Sequence, residues 1–306
     1  MLPAPSPGRK LPDSYCDQVT TSAARTAYET LEPLHVLAYF NPGLRSAWSD
    51  LGIDGTAFYV GARAAPMGPC APAVVTAAFY NFSPALIETA WRAAVDRGLP
   101  AIAARRDQML DEQLRAILGD RVDDPFLTDS ASRYAGLAAG LPTGGRALAA
   151  SWAAATPPDG PAHVQLWHAI AVLREWRGDN HLAALLLHGL DGIDALTFHE
   201  AQLPDAQVRV RRLGKRLSLA TRGFTEQDWD DSVERLIERG LAEHTDDGHR
   251  LTPAGMTLFL DLEAETDAAG ERVWSGSGTA ELLASTRPFV KAIIDAGVLP
   301  GTTKQS

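Results

Sequence analysis

The sequence predicts a mainly α fold, with a helical N-terminal domain followed by a winged-helix domain. Three observations carry that expectation. From about residue 23, Ala- and Leu-rich segments of helical length alternate with Gly and Pro punctuation, and β-branched runs are scarce. After residue 203 the order becomes helix, turn, helix, hairpin, helix. The hairpin itself, LAEHTDDGHRLT at 241–252, has a turn dipeptide between two short strand-like runs.

Taken in order, residues 1–22 hold Pro3, Pro5, Pro7 and Pro12 and no apolar run, so they read as a disordered lead-in and not a signal peptide. Helices are expected at 24–38, 43–51, 55–65, 72–80, 84–97, 100–118, 129–139, 144–155, 161–176, 181–189 and 191–202. Pro33 is tolerable only in a first turn, so the first helix is expected to begin close to Glu32. Ser83 and Pro84 suit the cap and first turn of one helix. GlyLeuPro at 98–100 and 140–142 and ProProAspGly at 157–160 are breaks, and ArgGlyAsp at 177–179 is expected to end another helix, with Asp179 or Asn180 capping the next. The helical domain is placed at 23–202 and the winged helix at 203–270. In the latter, Thr225 is an N-cap, Asp247-Gly248 supplies the hairpin turn and Pro253 opens a helix. A closing helix near 279–296 lies in the C-terminal segment 271–306.

Composition narrows the class. The chain has 306 residues, 45% hydrophobic, enough for one large or two modest cores. With 28 basic against 38 acidic side chains, the net charge of −10 argues against non-specific binding to nucleic acid or anionic membranes. Only Cys16 and Cys70 are present, which excludes a disulfide framework and an all-Cys zinc site. Cys70, in the MetGlyProCys loop ahead of a helix, is a weak nucleophile candidate. No stretch reaches the roughly 18 apolar residues of a membrane span, so a soluble, cytoplasmic protein is expected. Nucleotide-binding, Rossmann and hydrolase motifs are absent, and no metal site or cofactor is expected.

Two polar clusters are candidate sites. In 163–188, His168, Val172 and Glu175 share a helix face beside Trp167 and Arg174, and Arg177 and His181 follow at the expected break. Arginine holds carboxylate, phosphate or sulfate with two hydrogen bonds, and histidine moves protons near neutral pH. In 31–40, Glu32, His35 and Tyr39 face one way, with Tyr59, Arg63, Tyr80 and Asn81 available as aromatic walls, a cation and an amide. Assigned catalytic are Glu32, His35, His168, Glu175 and His181; assigned to substrate are Tyr39, Tyr59, Arg63, Tyr80, Asn81, Trp167, Arg174 and Arg177. In each cluster, core packing or a structural ion pair is the competing explanation.

The second helix of the winged domain, which would enter a DNA groove, carries Glu226, Asp228, Asp230, Asp231, Glu234 and Glu238 against Arg235 and Arg239. It would repel phosphates. The preceding segment, with Arg209, Arg211, Arg212, Lys215, Arg216 and Arg222 and no acid, either pairs with those carboxylates or binds a small anion, an acidic partner or DNA.

The stretches LEPLHVLAYF (31–40), ARAAPMGP (62–69), VVTAAFYNFSP (74–84), LREWRGDNHLAALL (173–186) and RGLAEHTDDGHRLTPAG (239–255) resemble a family of actinobacterial proteins that join a helical N-terminal region to a C-terminal winged helix. A further resemblance, resting on no particular motif, is to the aziridine-forming proteins of azinomycin-type antibiotic pathways, which eliminate sulfate from an amino-sulfate precursor. It implies a cofactor-independent biosynthetic enzyme of lyase or cyclase type acting on a small anionic substrate. Arg63, Arg174 or Arg177 would hold the leaving sulfate, and Glu32 or Glu175 would steady the amine. The alternatives are a ligand-responsive regulator and a non-catalytic subunit working with a protein partner or a second copy.

Overall fold

The computed structural model of the chain describes residues 22–205, 212–299 and 302. The lead-in expected at 1–22 lies outside them apart from Ser22, as do Cys16, Arg209, Arg211 and most of the tail. Among the described residues are α1 (Ala23–Val36), α2 (Leu44–Leu51), α3 (Gly55–Ala64), α4 (Pro72–Phe79), α5 (Pro84–Arg97), α6 (Leu99–Leu118), α7 (Pro125–Ala139), α8 (Ala147–Ala154), α9 (Ala162–Leu187), α10 (Gly192–Glu200), α11 (Lys215–Arg222), α12 (Glu226–Glu238), β1 (Ala242–Thr245), β2 (Gly248–Leu251), α13 (Pro253–Trp274) and α14 (Thr279–Asp295).

Short polar side chains fix where many of these helices begin. Ser22, Ser83, Asp124, Thr225 and Thr252 each accept a backbone N–H of the first turn, and Pro84, Pro125 and Pro253 follow three of them directly. Thr225 and Asp228 form a complete capping box on α12.

The helical body is organised around α9, against which α1, α7, α8 and α13 pack. Its Trp167, Ile170, Ala171 and Trp176 are buried in the large core with Trp91, Trp152, Phe58 and Tyr134. α14 returns to this body and lies along α1. The winged helix comprises α11, α12, the antiparallel β1–β2 hairpin and the first turns of α13, and α10 packs on α12. Leu236, Leu251, Phe259 and Leu262 form its small core together with Leu185, Leu190 and Phe198 from α9, the α9–α10 turn and α10. Gln202 adds a one-residue third strand to the hairpin, donating to His249 and accepting from Leu251.

Three local expectations are corrected. ArgGlyAsp at 177–179 does not end a helix: α9 runs unbroken for 26 residues, and Arg177, Asp179 and Asn180 find partners on α13, on α8 and at Arg146 just ahead of α8. The first helix begins ten residues before Pro33. That proline lies inside α1, where the carbonyl it leaves without a donor belongs to exposed Glu29. In the hairpin the turn residues are Asp246 and Asp247, since Thr245 pairs with Gly248, which opens β2 at a φ of 134°.

Candidate functional site

Helices α1, α3 and α9 bring five charged side chains together. Arg63 on α3 grips Glu175 on α9 through two parallel hydrogen bonds, at 2.8 and 2.7 Å. One residue earlier, Arg174 turns the other way and donates both Nε and Nη2 to Glu32 of α1. His35 lies between the two pairs, with Nδ1 3.7 Å from Glu32 and Nε2 3.6 Å from Glu175. Burial favours neutral His35, but the two carboxylates outweigh it and raise its pKa above the usual value. Burial also pushes both carboxylates toward the acid form. Here Arg63 and His35 win for Glu175, holding it near about 2, and Arg174 and His35 hold Glu32 lower still. The guanidinium groups of Arg63 and Arg174 therefore already hold carboxylates of the chain itself.

Beside this cluster runs a row of rings. His35 meets Tyr39 edge-on at 5.6 Å, Tyr39 meets Tyr59 at 5.4 Å, and Tyr59 stacks on Phe82 at 5.8 Å. Among the described residues the buried Tyr39 hydroxyl has no partner, and its pKa is well above normal through burial and the Glu175 charge. Trp167 is fully buried and donates to the His35 carbonyl at 3.1 Å. Tyr80 sits at a φ of 41° in the turn after α4 and donates its hydroxyl to the Leu190 carbonyl, with Asn81 half-buried beside it. That contact faces α10 and not the ion cluster.

Arg177 and His181 are elsewhere too. Arg177 donates to Glu263 and Asp267 of α13, which Arg25 of α1 also holds. His181 contacts Thr266 at 3.0 Å and His199 of α10 at 3.3 Å, and burial with the neighbouring His199 lowers its pKa to about 4. The residues expected near one turn of α9 thus serve three separate junctions. Cys70 is no activated thiol, since burial raises its pKa.

His168 faces open space. It lines a cavity of about 540 Å³ whose other walls come from the turn after α3, α5, α6 and the end of α8. Pro66, Leu99, Pro100, Ala103, Trp152 and Pro158 make the recess largely apolar, and Arg106 and Asp107 add a polar end. A volume of that size suits a small organic ligand. Among the described residues His168 has no hydrogen-bond partner; its ring lies 5.4 Å from that of Trp152. Burial, aided by the Arg106 charge, lowers its pKa to about 4, so it is neutral at pH 7. Arg106 is fixed by the Ala62 carbonyl at 2.7 Å and by Asp107, its guanidinium stacked over Trp152 and Trp167. Burial raises the Asp107 pKa against the pull of Arg106. The sequence pattern pointed to His168 but not to Arg106, Asp107 or Trp152. The available signal was three consecutive charges, Arg105-Arg106-Asp107, in an otherwise apolar stretch of α6.

Compared with known proteins, residues 24–300 match a family model described as a helix-turn-helix family. The chain belongs to the helix-turn-helix family. No curated protein and no solved structure matches it. Among the described residues of this helix-turn-helix protein, no helix is long and apolar enough to cross a membrane.

The helix that would enter a DNA groove is α12, and all six of its carboxylates are on exposed residues. Lys215 neutralises only Glu226 and Asp230, at 2.7 and 2.6 Å, while Arg235 is held by Asp194 and Arg239 by the His188 and Gly189 carbonyls. Of the basic segment, Arg212 and Arg216 are exposed, and Arg222 turns inward over the ring of Phe82 at 4.2 Å.

Proposed function

We propose that this helix-turn-helix protein binds a small molecule in the cavity beside His168 and uses its winged helix as a scaffold or protein-docking surface. The observation that carries the proposal is a neutral imidazole, without a hydrogen-bond partner among the described residues, on the wall of an otherwise largely apolar recess of about 540 Å³. The His168 ring nitrogens are not among the buried atoms left without a partner, so they open onto the cavity, where a ligand hydroxyl or amine can donate to the neutral imidazole for about 0.5–1.5 kcal/mol. The matching ligand is small and mostly apolar, with one hydrogen-bond donor.

The finer form is a cofactor-independent enzyme of secondary metabolism acting on an anionic substrate, with aziridine closure by sulfate loss as its most specific version. At the cavity Arg106 would then face the anion, with His168 and Asp107 handling protons. Glu32, His35, Arg63, Arg174 and Glu175 would hold the wall behind them rigid, a role supported by the Trp152 indole N–H on the Arg63 carbonyl at 3.0 Å. The competing reading, a ligand-responsive regulator, is favoured by the family membership and by exposed Arg212 and Arg216. The acidic α12 stands against it.

The test compares 1-naphthol with 1-methylnaphthalene by saturation-transfer NMR. Wild type should prefer the naphthol about three- to tenfold, the worth of one hydrogen bond, and His168→Leu should erase the preference. Equal affinities in wild type would remove His168 as the anchor.

A further inference from the structure

Leu99, Ala103, Arg106 and Asp107 recur at i, i+4, i+7 and i+8 along α6, so one face of that helix brings all four to the cavity beside His168. Only half of the Asp107 carboxylate is engaged there. Arg106 Nε and Nη2 both donate to Asp107 Oδ1, at 2.9 and 2.8 Å. The third guanidinium nitrogen, Nη1, donates to the Ala62 carbonyl at 2.7 Å. Among the described residues Arg106 is the only cation lining the cavity, and it is already committed to these two acceptors.

Oδ2 of Asp107 is different. Among the described residues no N–H or O–H donates to it. It is not among the buried atoms left without a partner, and the Asp107 side chain is 21% exposed, so this oxygen can be reached. Distances tie it to the His168 wall. The His168 ring lies 5.4 Å from that of Trp152, the Arg106 guanidinium lies 5.0 Å from the Trp152 ring, and Asp107 is bonded to that guanidinium. The wall therefore presents a free carboxylate oxygen and a neutral imidazole, with apolar side chains around them.

Resting on the reading that this cavity takes the ligand, we infer that Asp107 selects ligands that carry a protonated amine on an apolar body. The ammonium donates to Oδ2, and the body lies against Leu99, Ala103 and Trp152. A hydrogen bond charged on both sides is about twice as strong as a neutral one, so the amine is favoured over a hydroxyl of the same shape. Burial, which disfavours the Asp107 charge, is offset by the ligand's cation.

The probes are 1-naphthylmethylamine and its neutral isostere 1-naphthylmethanol, titrated into the full chain by calorimetry at pH 7, where the amine is protonated. Wild type should bind each saturably and in competition with 1-naphthol, the amine about tenfold tighter. Asp107→Asn should reduce that preference below about threefold and leave the alcohol within about twofold of its wild-type affinity. Asp107→Asn leaves Arg106 buried without its counterion, so Arg106→Met combined with Asp107→Asn is measured beside it; that pair strands no charge and should lose the same preference. Equal affinity of wild type for amine and alcohol, or a preference that survives in either variant, would overturn the inference and leave the cavity reading standing. Failure of wild type to bind 1-naphthol and both probes would remove that reading, and this inference with it.

Discussion

Arg63 and Glu175 meet through two parallel hydrogen bonds, which tie α3 to α9 across 112 positions of sequence. The Glu175 side chain is only 2% exposed, so its charge depends on that fork. Arg63→Met would leave a buried carboxylate facing His35 alone, and a loss of about 3–5 kcal/mol is expected in urea unfolding. Arg63→Met combined with Glu175→Leu should recover most of it, since no buried charge is then stranded. A single-variant loss below about 1 kcal/mol would show that the pair holds little.

Acid sensitivity should come first from buried neutral histidines. His168 and His181 have pKa values lowered from 6.5 to about 4. Above pH 6.5 they are neutral folded or unfolded. As pH falls toward 4 the unfolded chain takes up protons first, so stability is lost across that window. Asp179, raised to about 6 by burial, acts in the opposite sense from pH 6 down to its usual 3.8. Glu175 and Glu263, lowered from 4.5 to about 2, add a further loss only below pH 4.5. Replacing His168 by Leu should reduce the stability lost between pH 7 and 4.5 by about 2 kcal/mol, read from urea midpoints. An unchanged loss would mean that His168 is not buried neutral.

Asp179 closes the open end of a neighbouring helix. Its carboxylate accepts from the Ala149 N–H at 2.9 Å and thereby caps α8, whose own N-cap residue, Arg146, supplies no side-chain cap. Asp179→Ala should cost about 1–2 kcal/mol and increase hydrogen exchange in α8 more than in α9. Equal exchange in the two helices would contradict the cap.

Duplex DNA labelled with a fluorophore should show no anisotropy change with this protein at about 50 mM salt, because α12 presents carboxylates where phosphates would lie. Micromolar binding that weakens steeply by about 200 mM salt would restore the regulator.

Much of the fold was legible because caps and prolines are local signals. Ser83-Pro84 and the Thr225 box mark helix starts within a few residues of sequence. What misled was chemistry whose partner is distant. Arg177, Asp179 and Asn180 look like a turn, yet they lie within a helix, where Arg177 donates to Glu263 while Asp179 and Asn180 accept from Ala149 and Arg146. Arg222 counts as one more surface cation until the fold turns it onto Phe82. Glu32, His35 and Glu175 were visible as chemistry, but no spacing rule reveals that Arg174 and Arg63 already occupy the two carboxylates. The cavity needs residues from four helices, and only His168 among them stood out in the sequence.

The central claim is that the cavity beside His168 is where this protein takes its ligand. Ala103 lines it, so Ala103→Trp fills part of the space with a ring while His168 and the ion cluster keep their own side chains. Isothermal titration of 1-naphthol is the direct measurement. Saturable binding by wild type, weakened at least tenfold in an Ala103→Trp variant of unchanged Tm, is the predicted result; equal affinity in the two, or no binding by wild type, would contradict it.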